Sequence, residues 1–504
     1  MAETKREIER KYDAPEEDFH LPDLHKVPGV AEVVDKGVVE LDAVYYDTAD
    51  RRLAAHRITL RRRTGGDDAG WHLKLPVAVG DDARDEVRAP LSDDVPRVLT
   101  GLVRSRVRDA ELVPVVRLLS SRDVTHLTGA DGTLLAEVCV DAVRAERIGG
   151  EGSTAWTEIE VELADGGDPA FLAKVDKRLR KAGVEPSASS SKLARALDET
   201  GAAPPPAAAA GDPVTAGDHV LARLRAQRDA LVELDPAVRR DLPDAVHQMR
   251  VATRRLRSAF KTYKKILDPA ATEAVGAELA WLGAELGIDR DREVLTERLT
   301  GRIDALPRTL LLGPVRGRLR IWAVARRLGS RRHTVAVLDG RRYLALLDAL
   351  DALLADPPLK PAAGRPAAPL LAKAALKDHA RLAARLEHAR SLPPGTERDH
   401  ALHQARKAAK RARYAGETAV PALGGKAGKF AKRVKKVQSL LGEHQDSVVA
   451  REALRDLAIQ AHAAGETAFA WGLLYGQEQA AAADAQRELP AVWDRAAKPG
   501  LPAG

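Results

Sequence analysis

The feature that most constrains this chain is a change of hydrophobic period across a short Pro/Ala segment. Residues 201–213 read GAAPPPAAAAGDP, with three consecutive prolines and no packing pattern, which describes a semi-rigid linker. Before it, short runs rich in β-branched and aromatic residues recur: EIERKY, AVYYDT, ITLRRR, WHLKLPV, VVRLL, LLAEVCVDAV and TEIEVEL, separated by turns such as GGDDAG and GADG. After it, Ala, Leu, Arg and Glu recur with helical spacing, broken at LDP (267–269), ALP (305–307), 356–369, SLPPG (391–395) and VPALGG (420–425). The expected domains are therefore 1–200, mainly β, and 214–500, all-helical. A length of 504 residues agrees with more than one core. Within the first part, 168–182 is expected to be a helix capped by Asp168 with Pro169 at its first position.

Charge divides at the same place. Residues 1–200 carry 30 Lys+Arg and 39 Asp+Glu; residues 201–504 carry 50 and 34. The basic half is suited to a polyanion. Aromatic residues make up 4% of the chain and no nucleic-acid-binding motif is present, which disfavours nucleic acid as that polyanion. Cys139 is the single cysteine, so an intramolecular disulfide and a cysteine-rich zinc site are both excluded. The charged start MAETKREIERKY and the lack of a long apolar run point away from a membrane and toward the cytoplasm. Nothing in the sequence specifies an oligomeric state.

In the β half, Glu7, Glu9 and Lys11 fall at i, i+2 and i+4, on one face of a strand, and Glu158, Glu160 and Glu162 do the same. Basic positions recur in the other runs: Arg61 and Arg63, Lys74, Arg88, Arg117 and Lys192. A single alternating strand ordinarily has a solvated outer face. Two E-x-E strands and several basic ones in 200 residues instead suit a closed barrel with a hydrated lumen of both charge signs. Carboxylates there would hold Mg²⁺ or Mn²⁺, and the cations would hold phosphate oxygens.

The helical half contains a repeat. HQMRVATRRLR (247–257) and HQARKAAKRAR (403–413) lie 156 residues apart, and LGIDRDREV (286–294) and LGEHQDSVV (441–449) lie 155 apart. His247, Arg250, Arg254, Arg257, Lys261 and Lys264 form one stripe on a helix, with charges about 5 Å apart along the axis. His403, Arg406, Lys410 and Arg413 form a second, and Lys429, Arg433 and Lys436 a third. Residues 247–265 contain no acid, so the cations lack the i,i+4 partners of a stabilised surface helix, and a bound anion is the simplest compensation. Each histidine would donate to a phosphate; neither has the H-x₃-H spacing of a metal pair.

E-x-E-x-K, YYDT, LRRR, LKLP, EIEVE and SSKLARAL, in that order, resemble the CYTH family of triphosphate tunnel metalloenzymes over about residues 3–200. The two repeats resemble the CHAD domain over about 214–500. The first resemblance implies an eight-stranded antiparallel barrel that binds a triphosphate with divalent metal. Glu7, Glu9, Glu158 and Glu160 match its metal carboxylates. Lys11 matches its phosphate contact beside the reacting bond, and Arg61, Arg63, Lys74, Arg88, Arg117 and Lys192 its phosphate-binding positions. Leu119 stands where the pattern has a further basic residue, and Glu137 is a further candidate lumen carboxylate. The second resemblance implies two helical bundles related by a pseudo-two-fold axis, with a basic surface for inorganic polyphosphate. Together they imply an inorganic triphosphatase that uses Glu7, Glu9 and Lys11 in catalysis and is associated with polyphosphate granules. The alternatives are a tunnel acting on ATP, as an adenylate cyclase, or on thiamine triphosphate, and a non-catalytic polyphosphate tether.

Overall fold

The structure is a computed structural model that describes residues 3–15, 19–77, 83–204 and 211–502, with the side chains of 288–292 and 325–330 outside the description. Part of the expected linker (205–210) and of the LGIDRDREV motif thus lies outside the described residues. The chain divides into two compact units, Met1–Ala209 and Ala210–Gly504.

In the first unit the period-two runs form a closed antiparallel barrel. Its elements are β1 (Glu3–Asp13), β2 (Glu32–Asp47), β3 (Thr59–Thr64), β4 (Gly70–Pro76), β5 (Ala83–Ala89), α1 (Arg97–Val107), β6 (Val113–Thr128), β7 (Leu134–Arg147), β8 (Ser153–Leu163), α2 (Ala170–Lys181), β9 (Glu185–Pro186) and α3 (Lys192–Glu199). The strand order is β5-β4-β3-β2-β6-β7-β8-β1, closed by β1 against β5, and the two-residue β9 adds to β1. β5 was not among the strands read from the sequence, and β2 and β6 are 16 residues each, far longer than AVYYDT and VVRLL.

Alternation decides which residues face out. Tyr12, Ile159, Val161 and Leu163 pack on Phe171, Leu172, Val175 and Leu179 of α2. Leu60, Trp71, Leu73 and Val87 pack on Leu99, Leu102 and Val103 of α1. Burying these apolar faces under helices leaves the charged faces turned into the lumen. Asp168 accepts from Ala170 N at 2.9 Å two residues before α2, and Pro169 is the N-cap, so the helix starts one residue later than expected. At one end, Leu193, Ala196 and Leu197 of α3 join Ala43, Tyr45, Val116, Leu118, Val143 and Trp156 in an apolar cluster that fills the barrel mouth.

The second unit is helical: α4 (Ala216–Arg239), α5 (Ala245–Thr262), α6 (Pro269–Glu285), α7 (Gly287–Asp304), α8 (Val315–Asp339), α9 (Arg341–Ala355), α10 (Ala367–Ser391), α11 (Thr396–Leu423), α12 (Gly425–Ala463) and α13 (Phe469–Ala497). One core joins α4, α5, α6 and α9, and another joins α10 to α13. The proline signals mark most boundaries. Pro269 opens α6 behind Asp268, whose carboxylate accepts from Ala270 N. The break expected at 420–425 comes late, because Pro421 is tolerated within α11 and the chain turns at Gly424, with φ 57°. Among the described residues no helix is long and apolar enough to cross a membrane.

Candidate functional site

The barrel encloses a cavity of about 520 Å³ lined by ten lysines and arginines and eight carboxylates. β1 supplies Glu7, Glu9 and Lys11 to it, β3 supplies Arg61 and Arg63, and β4 supplies Lys74. Arg88 on β5, Glu160 and Glu162 on β8, and Glu137 on β7 line the same space. Lys192 enters differently from the strand residues. It is the first residue of α3, whose N-cap Ser191 accepts from Ala194 N, and the capped turn aims the lysine into the lumen.

The cations are pinned by carboxylates. Lys74 Nζ lies 2.5 Å from Glu7 and 3.7 Å from Glu9, and Lys11 Nζ lies 3.3 Å from Glu9 and pairs with Glu160. Lys192 Nζ is 3.0 Å from Asp141 and 2.8 Å from each of Glu158 and Glu160. Burial alone would push Glu9 up, but Lys11 and Lys74 outweigh it and hold Glu9 at about 2. Glu7 goes the other way, up to about 7: burial dominates, and Glu86, Glu162 and Glu9 add repulsion against the pull of Lys74. Two carboxylates two residues apart on one strand therefore sit in opposite electrostatic settings.

One predicted site residue is not in the lumen. Arg117 points outward, with 47% of its side chain exposed, and forms a two-pronged pair with Asp42 at 3.0 and 2.6 Å. β6 pairs regularly with β2 from Val116 to Val124, so Arg117 and Arg122, an odd number of residues apart, face opposite sides of the barrel wall. The inward set is then Val116, Leu118, Ser120 and Arg122. Arg122 takes the lumen role, 2.7 Å from both Asp141 and Glu160. Sequence reading also missed Asp141 and Glu86, both fully buried, and Arg84. Glu86 receives Arg88 and lies 3.0 Å from His72 Nδ1, whose own value burial lowers to about 4. Period-two counting along the strand from Glu137 and from His126 was the available signal for Asp141 and Arg122.

The donor set fits a hard divalent cation. Ligand oxygens of Asp141, Glu158 and Glu160 lie within 4.8 Å of one another, no sulfur or imidazole is among them, and an ammonium already stands between them. Trp156 Nε1 donates to the other oxygen of Glu158 at 2.6 Å, fixing its orientation.

In the helical unit the two repeats meet. α5 and α11 cross, and Arg250, Arg254, Arg406 and Lys410 gather into one cluster. Burial first, then Arg406, Arg254 and Arg250, push the Lys410 ammonium down to about 7, against the pull of Asp446. The Leu-Gly motifs explain themselves here. A Cβ on Gly287 would lie 3.0 Å from Arg250 Nη2, and one on Gly442 would lie 3.3 Å from Arg406 Nη2. Each glycine is the floor on which the arginine of its own repeat rests.

The stripes are not continuous. α5 ends at Thr262, so Lys264 lies beyond it, and Lys261 and Lys264 line a separate cavity. Arg257 lies half-buried between the two groups. Arg413 is turned to Glu417 at 2.9 Å, a carboxylate that also receives Arg223 and Arg255, so acids absent from α5 are supplied by α11. His403 is half-buried and burial lowers its value, with Lys407 and Arg406 adding to the effect. His247 lies on α5, one turn before Arg250. Lys429, Arg433 and Lys436 form an exposed row on α12, where Arg433 donates to Lys498 O at 3.1 Å.

A closed barrel whose lumen mixes carboxylates with lysines and arginines, joined to a helical domain, is the architecture of the CYTH triphosphate tunnel metalloenzymes with a further domain attached. The family models agree: CYTH domain matches residues 5–197 and CHAD domain residues 222–455. The chain belongs to the family of CYTH-CHAD proteins. It is 40% identical, over 96% of its own length and 95% of theirs, to proteins described as uncharacterised from two strains of Mycobacterium tuberculosis. Similar solved structures include PptA from Streptomyces chartreusis (23% identity, TM-score 0.47, 56% of this chain and 99% of that one). Another is the CHAD domain from the plant Ricinus communis (28% identity, TM-score 0.45, 58% and 94%).

Proposed function

We propose that the barrel hydrolyses inorganic triphosphate to pyrophosphate and phosphate with Mg²⁺ or Mn²⁺, and that the helical unit binds inorganic polyphosphate. The observation that carries the first part is the lumen itself, where ten lysines and arginines share one cavity with eight carboxylates. The cations suit a phosphate chain, and the carboxylates among them suit the divalent metal that accompanies it.

Arg61, Arg63, Lys74, Arg88 and Arg122 would hold the phosphate oxygens, releasing the carboxylates they now pair with. Glu7, Glu9, Glu158 and Glu160, with Asp141 beside them, would hold the divalent ion. That ion, when bound, neutralises phosphate charge and activates a water. Lys11, between Glu9 and Glu160, is placed to steady the bridging oxygen as its bond breaks. α3 closes one mouth and limits water at that end. For the second part, the merged cluster of Arg250, Arg254, Arg406 and Lys410 supports polyanion binding, because like charges pressed together are relieved by a bound anion.

The test is a phosphate-release panel over inorganic triphosphate, ATP, thiamine triphosphate and long polyphosphate, with Mg²⁺ and Mn²⁺ in turn. Inorganic triphosphate should give the highest kcat/KM. A preference for ATP with cyclic product, or no turnover of any of them, would refute the reading.

A further inference from the structure

The helical unit contains a second cationic cavity, of about 720 Å³, at the C-terminal end of α5. Lys261, Lys264 and Lys265 line it from α5 and the residues just after, and Lys373 and Lys377 line it from α10. Among the described residues none of these five lysines has a carboxylate within ion-pair distance. The one acid in the wall, Asp378, is buried and already engaged: Thr262 donates to it at 2.6 Å, Arg411 at 2.8 Å, and Arg381 pairs with it. Its effect is to hold two guanidinium groups in fixed orientation at the cavity wall.

What separates this cavity from a polyphosphate surface is the rest of its lining. Ile266, Leu370, Ala374 and Leu376 form an apolar wall beside the lysines. Leu370, Ala374 and Leu376 remain partly exposed in the folded unit. A linear phosphate chain gains nothing from apolar surface, while a ligand with a hydrophobic or aromatic body does. Guanidinium planes also stack on aromatic rings. We propose that this cavity binds a phosphorylated ligand with an aromatic body, of the class of a purine nucleoside triphosphate, with its phosphates on the five lysines and its base between the apolar wall and Arg381. The site lies within the helical unit and is independent of the tunnel's chemistry.

The probe is 8-azido-ATP on the full chain, with the labelled peptides mapped by mass spectrometry and binding followed by fluorescence anisotropy of a labelled ATP. The label is expected in α10 or α11. Lys373→Glu with Lys377→Glu, both exposed lysines, should weaken nucleotide binding at this site at least tenfold. Leu376→Ser should weaken ATP about threefold while leaving tripolyphosphate binding at these lysines unchanged, and hydrolysis in the barrel should be unaltered in both variants. Label confined to barrel peptides would overturn the proposal. So would tripolyphosphate competing as well as ATP with no effect of Leu376→Ser, since the lysines would then bind phosphate alone.

Discussion

The barrel lumen and the helical cluster both concentrate cations, yet they treat them in opposite ways. In the lumen most cations are held above their ordinary values: burial lowers Lys11, Lys74, Arg122 and Lys192, but neighbouring carboxylates more than reverse it. Arg63, crowded by Arg61 and Arg122 as well as buried, is an exception, at about 9. In the cluster, burial and like charge act together, and Lys410 and Arg254 are both lowered. The lumen is thus balanced internally, and a ligand entering it must exchange partners. The cluster has little internal compensation, which on the proposed function a polyanion would supply. Exchange of partners allows metal and phosphate to be positioned for chemistry; uncompensated charge gives adhesion with little positional demand.

Removing the lumen's balance should have the largest effect. Glu9→Gln deletes a carboxylate that faces both Lys11 and Lys74. Metal-dependent triphosphate hydrolysis should fall by about a thousandfold, the scale of losing a group that acts on transition-state charge. Association with long polyphosphate should be unchanged. Phosphate release and filter binding on the same preparation check both halves. Hydrolysis surviving in a folded Glu9→Gln protein would break the site assignment.

The reverse experiment is Arg250→Glu with Arg254→Glu. Charge-assisted hydrogen bonds contribute about 1.5–3 kcal/mol each, so losing two should weaken polyphosphate binding by at least about a hundredfold. Triphosphate hydrolysis should be retained. The new acids would lie beside Arg406 and Lys410, so the fold should tolerate them, and a melting curve tests that. Wild-type binding should also weaken as salt rises.

How much of this contrast was legible in the sequence depends on whether one element or several set the position. Glu7, Glu9, Lys11 and Glu160 were readable because both E-x-E strands keep a clean alternation. Arg117 was misplaced because VVRLLSSR has apolar residues on both sides of the arginine, and only pairing with β2 fixes the phase that turns Arg122 inward and Arg117 outward. Asp141 lies four residues after Glu137 on β7 and Glu86 two before Arg88 on β5, so strand alternation from those two residues was the signal left unused. The merging of the two histidine-led stripes was implied by the repeat, but its location required the α5–α11 crossing. The partition of Lys261 and Lys264 into another cavity required α10, whose Lys373, Lys377 and Arg381 repeat at i+4.

The pH dependence of binding sharpens the contrast further. Free Lys410 titrates at about 7, and a polyanion beside it must raise that value. Its contribution to affinity is then fully present below about pH 7 and is lost as pH rises through the bound-state value. Polyphosphate binding should weaken by up to about tenfold between pH 7 and 9 and take up protons, seen as a buffer-dependent heat in calorimetry. Lys410→Met should flatten this profile. An unchanged profile in that variant would place the titrating group elsewhere.

The smallest effect separates stability from function at a single position. Gly442 lies inside α12, with ordinary helical backbone, so Ala there should stabilise the helix by up to about 1 kcal/mol. The added Cβ would meet Arg406 Nη2 at 3.3 Å, closer than comfortable packing, and the flexible guanidinium would give way. Arg406 reaches into the cluster and lies 3.7 Å from Asp446, so a shift of a few tenths of an ångström is felt at both. Gly442→Ala should therefore raise the melting temperature while weakening polyphosphate binding a few-fold, and Gly287→Ala should do the same to Arg250 in the other repeat. The loss at Gly287 should be the larger, because its Cβ would approach Arg250 Nη2 to 3.0 Å against 3.3 Å at Arg406. A Gly442→Ala protein that melts higher and binds as well as wild type would show that the glycine serves only helix packing, and that Arg406 holds its phosphate contact without a defined floor.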